Sequence, residues 1–285
     1  MRNFFQSHWK AIVALILLIL MAALYLRPGP ASGAQALAER LERHVGAIAS
    51  PEHNARTLPS LESAAVYIEK TLAEAGYRST RQAYAAGGGR VHNIEVSIGN
   101  VAPGGRPERI FIVGAHYDSA QGTPGANDKG GGTAAVLELA RLLHTMRPSA
   151  GTEVRFVFFV NEEPPCFMGE EMGRYRDTGN FIAFVGTLES SKRVREALAA
   201  FRAASDFPAA GLAAPAHTTG VTLSDHTRYE RHGYPALMIT ESAFMRYPYY
   251  QTAEDPPDKP DYESMARVVT GLEKTIRALA GAARG

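Results

Sequence analysis

Two short apolar runs each end in residues that can bind metal. Ile110 to Ala115 leads into His116-Tyr117-Asp118, and Phe156 to Val160 leads into Asn161-Glu162-Glu163. Between them lies Gly125-Ala126-Asn127-Asp128, followed by three glycines and a helical pattern. His, Asp and Glu are ordinary nitrogen and oxygen ligands of zinc. Strands of an open α/β sheet that carry such residues at their carboxyl ends deliver them into one crevice. His116 and Asp118 are two residues apart on a strand end, so they point to the same side. His116 can then hold a metal while Asp118 accepts its other ring N–H. Asp128 is expected at the start of a helix, where an anion is favoured and where its carboxylate can bridge two ions. Glu162 and Glu163 are adjacent and cannot fill one ligand position. One can bind metal while the other takes a proton from the attacking water. Each cluster has a plainer reading: a surface His, a helix-capping Asp, a solvated acid pair. Together the clusters favour the chemical one.

The elements that must position these residues are legible in the apolar spacing. Gln35 to Ile48 and Leu61 to Ala75 have helical periodicity, as do Gly132 to Met146, Ser190 to Ala203 and Ser264 to Ala280. His92 to Ile98 alternates like a half-buried strand, after a turn at Ala86-Gly87-Gly88-Gly89. Glu153 to Val160, Phe181 to Gly186 and Leu237 to Thr240 read as further strands. Alternating strands and helices with near-continuous apolar strands predict an α/β fold, with a mostly parallel central sheet covered by helices on both faces.

The chain has 285 residues, enough for one large core. Thirty Lys and Arg balance 29 acids, and no basic run stands out, so nucleic acid is not an expected partner. A single cysteine, Cys166, excludes an intramolecular disulfide. Ala11 to Leu26 is uncharged and apolar, follows Arg2 and Lys10, and ends at Arg27-Pro28-Gly29-Pro30. That pattern predicts one transmembrane helix with its N-terminus in the cytoplasm and the rest in the periplasm or exterior. The alternative is a signal peptide cleaved near Ala31-Ser32-Gly33-Ala34, with secretion of the remainder. Residues 1–33 are thus expected as anchor or signal with a linker, and 34–285 as the catalytic domain.

From about residue 56 to 280 this combination resembles the co-catalytic di-zinc aminopeptidases of the bacterial leucyl aminopeptidase type (peptidase family M28). The resemblance is carried by His-x-Asp after a strand, Gly-x-Asn-Asp before a glycine-led helix, Asn-Glu-Glu-Pro-Pro, and Ser224-Asp225-His226, in that order. It implies the zinc-exopeptidase (phosphorylase/hydrolase-like) fold, one or two zinc ions, and peptide substrates with a free N-terminus. It also implies roles: His116 on one zinc, Asp128 bridging, Glu163 on the other, Glu162 as general base, and Tyr250 stabilising the oxyanion. Ser224-Asp225-His226 would shape the pocket, and Arg246 with Tyr247 to Tyr250 would line the cleft.

The chain departs from that family in two places. Gln251 stands where the family has a histidine ligand, and an amide oxygen is a much weaker ligand. The stretch after Glu163 is too short for the family's next helix and acid-bearing strand, with Glu171 or Glu189 as candidate replacements for that acid. Three functions therefore stay open. They are a membrane-anchored zinc aminopeptidase, an inactive peptide-binding ectodomain of the same fold, and a single-zinc acyl-transfer enzyme similar to glutaminyl cyclases.

Overall fold

The computed structural model describes residues 33–86, 88–163 and 180–281. The expected membrane segment, Cys166 and Glu171 lie outside them. Among the described residues no helix is long and apolar enough to cross a membrane.

Helix α1 (Gly33–Ile48) and helix α2 (Leu58–Glu74) open the domain, α2 with a proline in its first turn, where no N–H is missed. Strands β1 (Thr80–Ala86), β2 (Gly89–Asn100) and β3 (Arg109–His116) follow. A kinked segment, Ala126–Gly131, leads into α3 (Gly132–Leu143), and β4 (Thr152–Phe159) comes next. After β5 (Ile182–Thr187) the chain forms α4 (Ser191–Ala204), β6 (Ala209–Ala214) and the short α5 (His226–Arg231). It ends with β7 (Met238–Thr240), the single-turn α6 (Ala243–Arg246) and α7 (Tyr262–Leu279). The Asp261 carboxylate caps α7 by accepting the Ser264 N–H at 3.0 Å.

The sheet differs from the expectation of a mostly parallel one. The described strands form two mixed sheets, ordered β1-β2-β4-β3 and β6-β5-β7. Only β3/β4 and β5/β6 are parallel, whereas β1/β2, β2/β4 and β5/β7 run antiparallel. The reason is local: β1 ends at Ala86 and β2 begins at Gly89, too short a separation for anything but antiparallel strands, and β2 then pairs with β4 in the same sense. The two apolar strands that end in the clusters, β3 and β4, do pair in parallel. Even so, β3 is not fully buried. It pairs only with β4 among the described residues, leaving Ile110 45% and Ile112 41% exposed.

One core joins the two sheets through helices. Leu41, Val45 and Ile48 of α1, Leu137 and Leu143 of α3 and Val269 of α7 lie in the same apolar cluster as Phe156 and Phe158 of β4 and Phe184 of β5. Phe201 of α4 meets Phe184 with ring centroids 5.4 Å apart. This packing sets the carboxyl ends of β3 and β4 level with each other: His116 lies opposite Phe159. The ladder continues one residue further, with Tyr117 N–H donating to the Phe159 carbonyl at 2.8 Å.

Candidate metal centre

His116 is 1% exposed and ends β3. Its Nδ1 lies 3.0 Å from the backbone carbonyl oxygen of Asp118, which leaves Nε2 for the cavity. There Nε2 stands 3.6 Å from Glu162 Oε2 and 4.0 Å from Asp128 Oδ1. The Thr133 hydroxyl donates to the His116 carbonyl at 2.7 Å and fixes the strand end to the first turn of α3. The partner of the ring N–H corrects the expectation for Asp118. The turn brings its backbone carbonyl nearer than its carboxylate, which stands 3.5 Å from Nδ1. The carboxylate instead accepts the backbone N–H groups of Glu162 and Glu163, each at 3.4 Å. Asp118 thus ties the end of β3 to the acidic loop after β4.

Asp128 is not a helix cap. Its backbone is non-helical (φ −117°, ψ 87°), and α3 begins only at Gly132. The loop turns through Gly125 at φ 69°, where a side chain would collide with the Asp128 carbonyl. Asp255, fully buried, holds it from behind. Both Asp255 oxygens lie 3.0 Å from the Asn127 N–H, one lies 3.3 Å from the Asp128 N–H, and the Tyr247 hydroxyl donates at 2.9 Å.

His116, Asp128 and Glu163 each offer a ligand atom, and these atoms lie within 4.8 Å of one another. They are the only such His/Cys/Asp/Glu group among the described residues. One imidazole and two carboxylates suit a zinc ion that keeps a position open. The electrostatics point the same way. Burial opposes charge on His116, but the Asp118 carboxylate 3.5 Å from Nδ1 and the Glu162 carboxylate outweigh it and push its pKa up to about 10. Burial, then the Asp128 carboxylate, pushes the Glu163 carboxyl well above its usual range. Burial also raises Glu162, against the pull of His116 and Lys129. Clustered acids in this state take up either protons or a metal cation.

These residues line a cavity of about 220 Å³ with Lys129, Ser224, Arg228, Tyr250 and Gln251. Burial and the carboxylates of Asp128 and Glu163 hold the Tyr250 hydroxyl far above its ordinary range, so it stays a donor. Gln251 reaches in from a left-handed backbone (φ 53°), and its Nε2 donates to Glu163 Oε2 at 3.0 Å and Asp128 Oδ2 at 3.3 Å. Asn161 and Ser242, the other non-glycine residues with positive φ among those described, adjoin Glu162 and Glu241. Backbone strain gathers at functional sites in this way.

Other expected residues lie elsewhere. His226 is buried with Nε2 2.7 Å from the Val221 carbonyl, and His217 and His232 are exposed. Glu189 is exposed in the turn after β5 and does not line the cavity. Of Arg246 and Tyr247 to Tyr250, only Tyr250 lines it. Arg246 stacks 4.0 Å over the Phe181 ring, and Tyr247 packs edge-on against Tyr249. Three residues went unanticipated: Lys129, Asp255 and Glu241. Burial raises the Glu241 carboxyl, which lies beside Lys129 and hydrogen-bonds with Asn127. An acid straight after a short apolar strand was the available signal for Glu241.

Comparison with known proteins agrees with this geometry. Residues 97–276 match the model of Peptidase family M28. YfbL of Escherichia coli (strain K12) is 31% identical over 316 residues, covering 92% of this chain and 96% of that protein. The alignment is longer than the 285-residue chain, so YfbL carries residues with no counterpart here. Aminopeptidase YwaD of Bacillus subtilis (strain 168) is 52% identical over 57 residues, 20% of this chain and 12% of that one. Among solved structures, the aminopeptidase from Aneurinibacillus sp. strain AM-1 superposes with a TM-score of 0.66 at 16% identity, covering 87% of this chain and 94% of that one. A glutaminyl cyclase from Tannerella forsythia follows at 0.62 and 19%, covering 87% and 99%. The fold, the gathered zinc-ligand types and the match over most of the chain converge: it belongs to peptidase family M28 and is a metallopeptidase-type hydrolase.

Proposed function

We propose that the chain is a zinc-dependent exopeptidase of the aminopeptidase type, acting on peptides with a free N-terminus. The observation that carries this is the convergence of His116, Asp128 and Glu163 within 4.8 Å, with Glu162 beside them. Those three residues would hold the zinc. Bound there, zinc would polarise the scissile carbonyl and acidify the attacking water. Glu162 accepts the proton of that water and passes it to the leaving amine, a role its raised pKa suits. The Tyr250 hydroxyl donates to the developing oxyanion. Asp118 holds the Glu162-Glu163 loop in register with His116. Residues 1–33 would anchor the domain from residue 34 in the membrane, facing the periplasm or exterior.

A second reading, a glutaminyl-cyclase-like single-zinc acyl transferase, is favoured by one observation: the group holds one His and two acids, and a glutaminyl cyclase shares the fold. The full chain, with added zinc, should hydrolyse aminoacyl-p-nitroanilides. Glu162→Gln should lower kcat by roughly 100- to 10,000-fold while retaining the metal. An N-terminal Gln peptide cyclised instead would move the assignment to the second reading. A folded, zinc-loaded chain inert in both assays would make it a peptide-binding ectodomain.

A further inference from the structure

We propose that this centre holds a single zinc ion, on His116, Asp128 and Glu163, and that the Lys129 ammonium and the Gln251 amide take the place of a second ion. This rests on the zinc reading of the preceding section.

The space a second ion would need is already used. Asp128 turns Oδ1 toward His116, 4.0 Å from its Nε2, whereas its Oδ2 and Glu163 Oε2 accept from the Gln251 amide nitrogen at 3.3 Å and 3.0 Å, so a second ion on that side would have to displace the amide. Its two N–H groups match two acceptors, whereas an amide nitrogen has no lone pair free for a metal. Turning the amide would offer one neutral oxygen, a weak ligand for zinc. The described donors then suffice for one ion with three protein ligands, and fall short for two.

The missing charge is supplied by the chain itself. Lys129 follows Asp128 directly and lines the same cavity. Gly132 makes room for its stem, because a Cβ there would come within 2.9 Å of Lys129 Cγ. The ammonium is 3.4 Å from Ser224 Oγ, and among the described residues no carboxylate oxygen lies within 4.0 Å of it. It is therefore held among Asp128, Glu162, Asp225 and Glu241 without being locked to any one of them. A lysine ammonium beside Asp128 offsets part of the negative charge that would attract another divalent ion, and repels that ion directly.

Metal counting tests this without reference to turnover. The full chain is stripped of metal, titrated with zinc alone by calorimetry, and its retained metal is measured by mass spectrometry after dialysis. The wild type should retain one zinc per chain, and Lys129→Arg should do the same. Lys129→Met should bind that zinc on the order of tenfold more tightly, because the opposing charge is gone. Lys129→Met combined with Gln251→His should retain a second zinc. Two ions retained by the wild type would overturn the proposal whether or not any variant folds. So would Lys129→Met, folded by circular dichroism, binding its zinc no more tightly than the wild type. A wild-type chain that retains none sinks the zinc reading itself, which separates the two failures.

Discussion

Asp128 owes its place to a residue 127 positions further along the chain, and this is where single side chains decide most. Asp255 does not line the metal cavity, yet its carboxylate takes the Asn127 and Asp128 N–H groups and the Tyr247 hydroxyl. Replacing it by Asn would turn one acceptor oxygen into a donor facing N–H groups. Asp255→Asn should weaken zinc binding by about 10- to 100-fold, measured by competition with a chromogenic chelator. Unchanged affinity would show that the Asp128 loop holds its shape unaided. At this scale the sequence was informative where chemistry clusters locally. His116, Asp128, Glu162 and Glu163 stood out because strand ends and glycines flank them. Asp255, Lys129 and Glu241 did not, because an isolated acid or lysine carries no pattern until the fold supplies its neighbours.

The helices reported themselves through apolar spacing, and what fastens them together was less visible. Glu138 of α3, 1% exposed, accepts from Arg40 at 3.0 Å and Arg141 at 2.7 Å and stands 3.1 Å from His44 Nε2 of α1. Burial alone would raise its pKa, but His44, Arg141 and Arg40 outweigh that and hold it down to about 2. The folded value lies below the unfolded one of about 4.3, so this carboxylate stabilises the fold above that pH. The contribution is lost as pH falls through about 2. Glu138→Gln should cost about 2 kcal/mol at neutral pH by urea denaturation. The loss should shrink below pH 4, and one equal at pH 3 and pH 7 would contradict the ionic account. Two strands escaped sequence reading for a physical reason. β1 (Thr-Arg-Gln-Ala-Tyr-Ala-Ala) buries almost nothing and exists through its pairing with β2. β6 (Ala-Ala-Gly-Leu-Ala-Ala) has little strand propensity and is held by β5.

For the molecule as a whole, the proposed site joins the carboxyl ends of β3 and β4 to the loop before α3 and to the Gln251 turn before α7, so metal binding should stabilise the fold. A ligand present at a hundred times its Kd adds about 2.7 kcal/mol. Chelating the zinc should then lower Tm by about 5–11 °C for a domain of this size, read by scanning calorimetry. No shift would mean that the metal does not link these segments. The sequence by itself determined the α/β class, the main helices, the parallel pair of apolar strands and the acid and histidine clusters at their ends. Each of these is written in neighbouring residues, as periodicity or as a strand that stops at a ligand. Only the tertiary structure decided that the strands form two mixed sheets, that Asp118 spends its carboxylate on the acidic loop, that Gln251 turns its amide nitrogen to the carboxylates, and that Lys129 enters the site. Those outcomes depend on which distant segments pack together, and sequence spacing carries no distance between segments far apart in the chain.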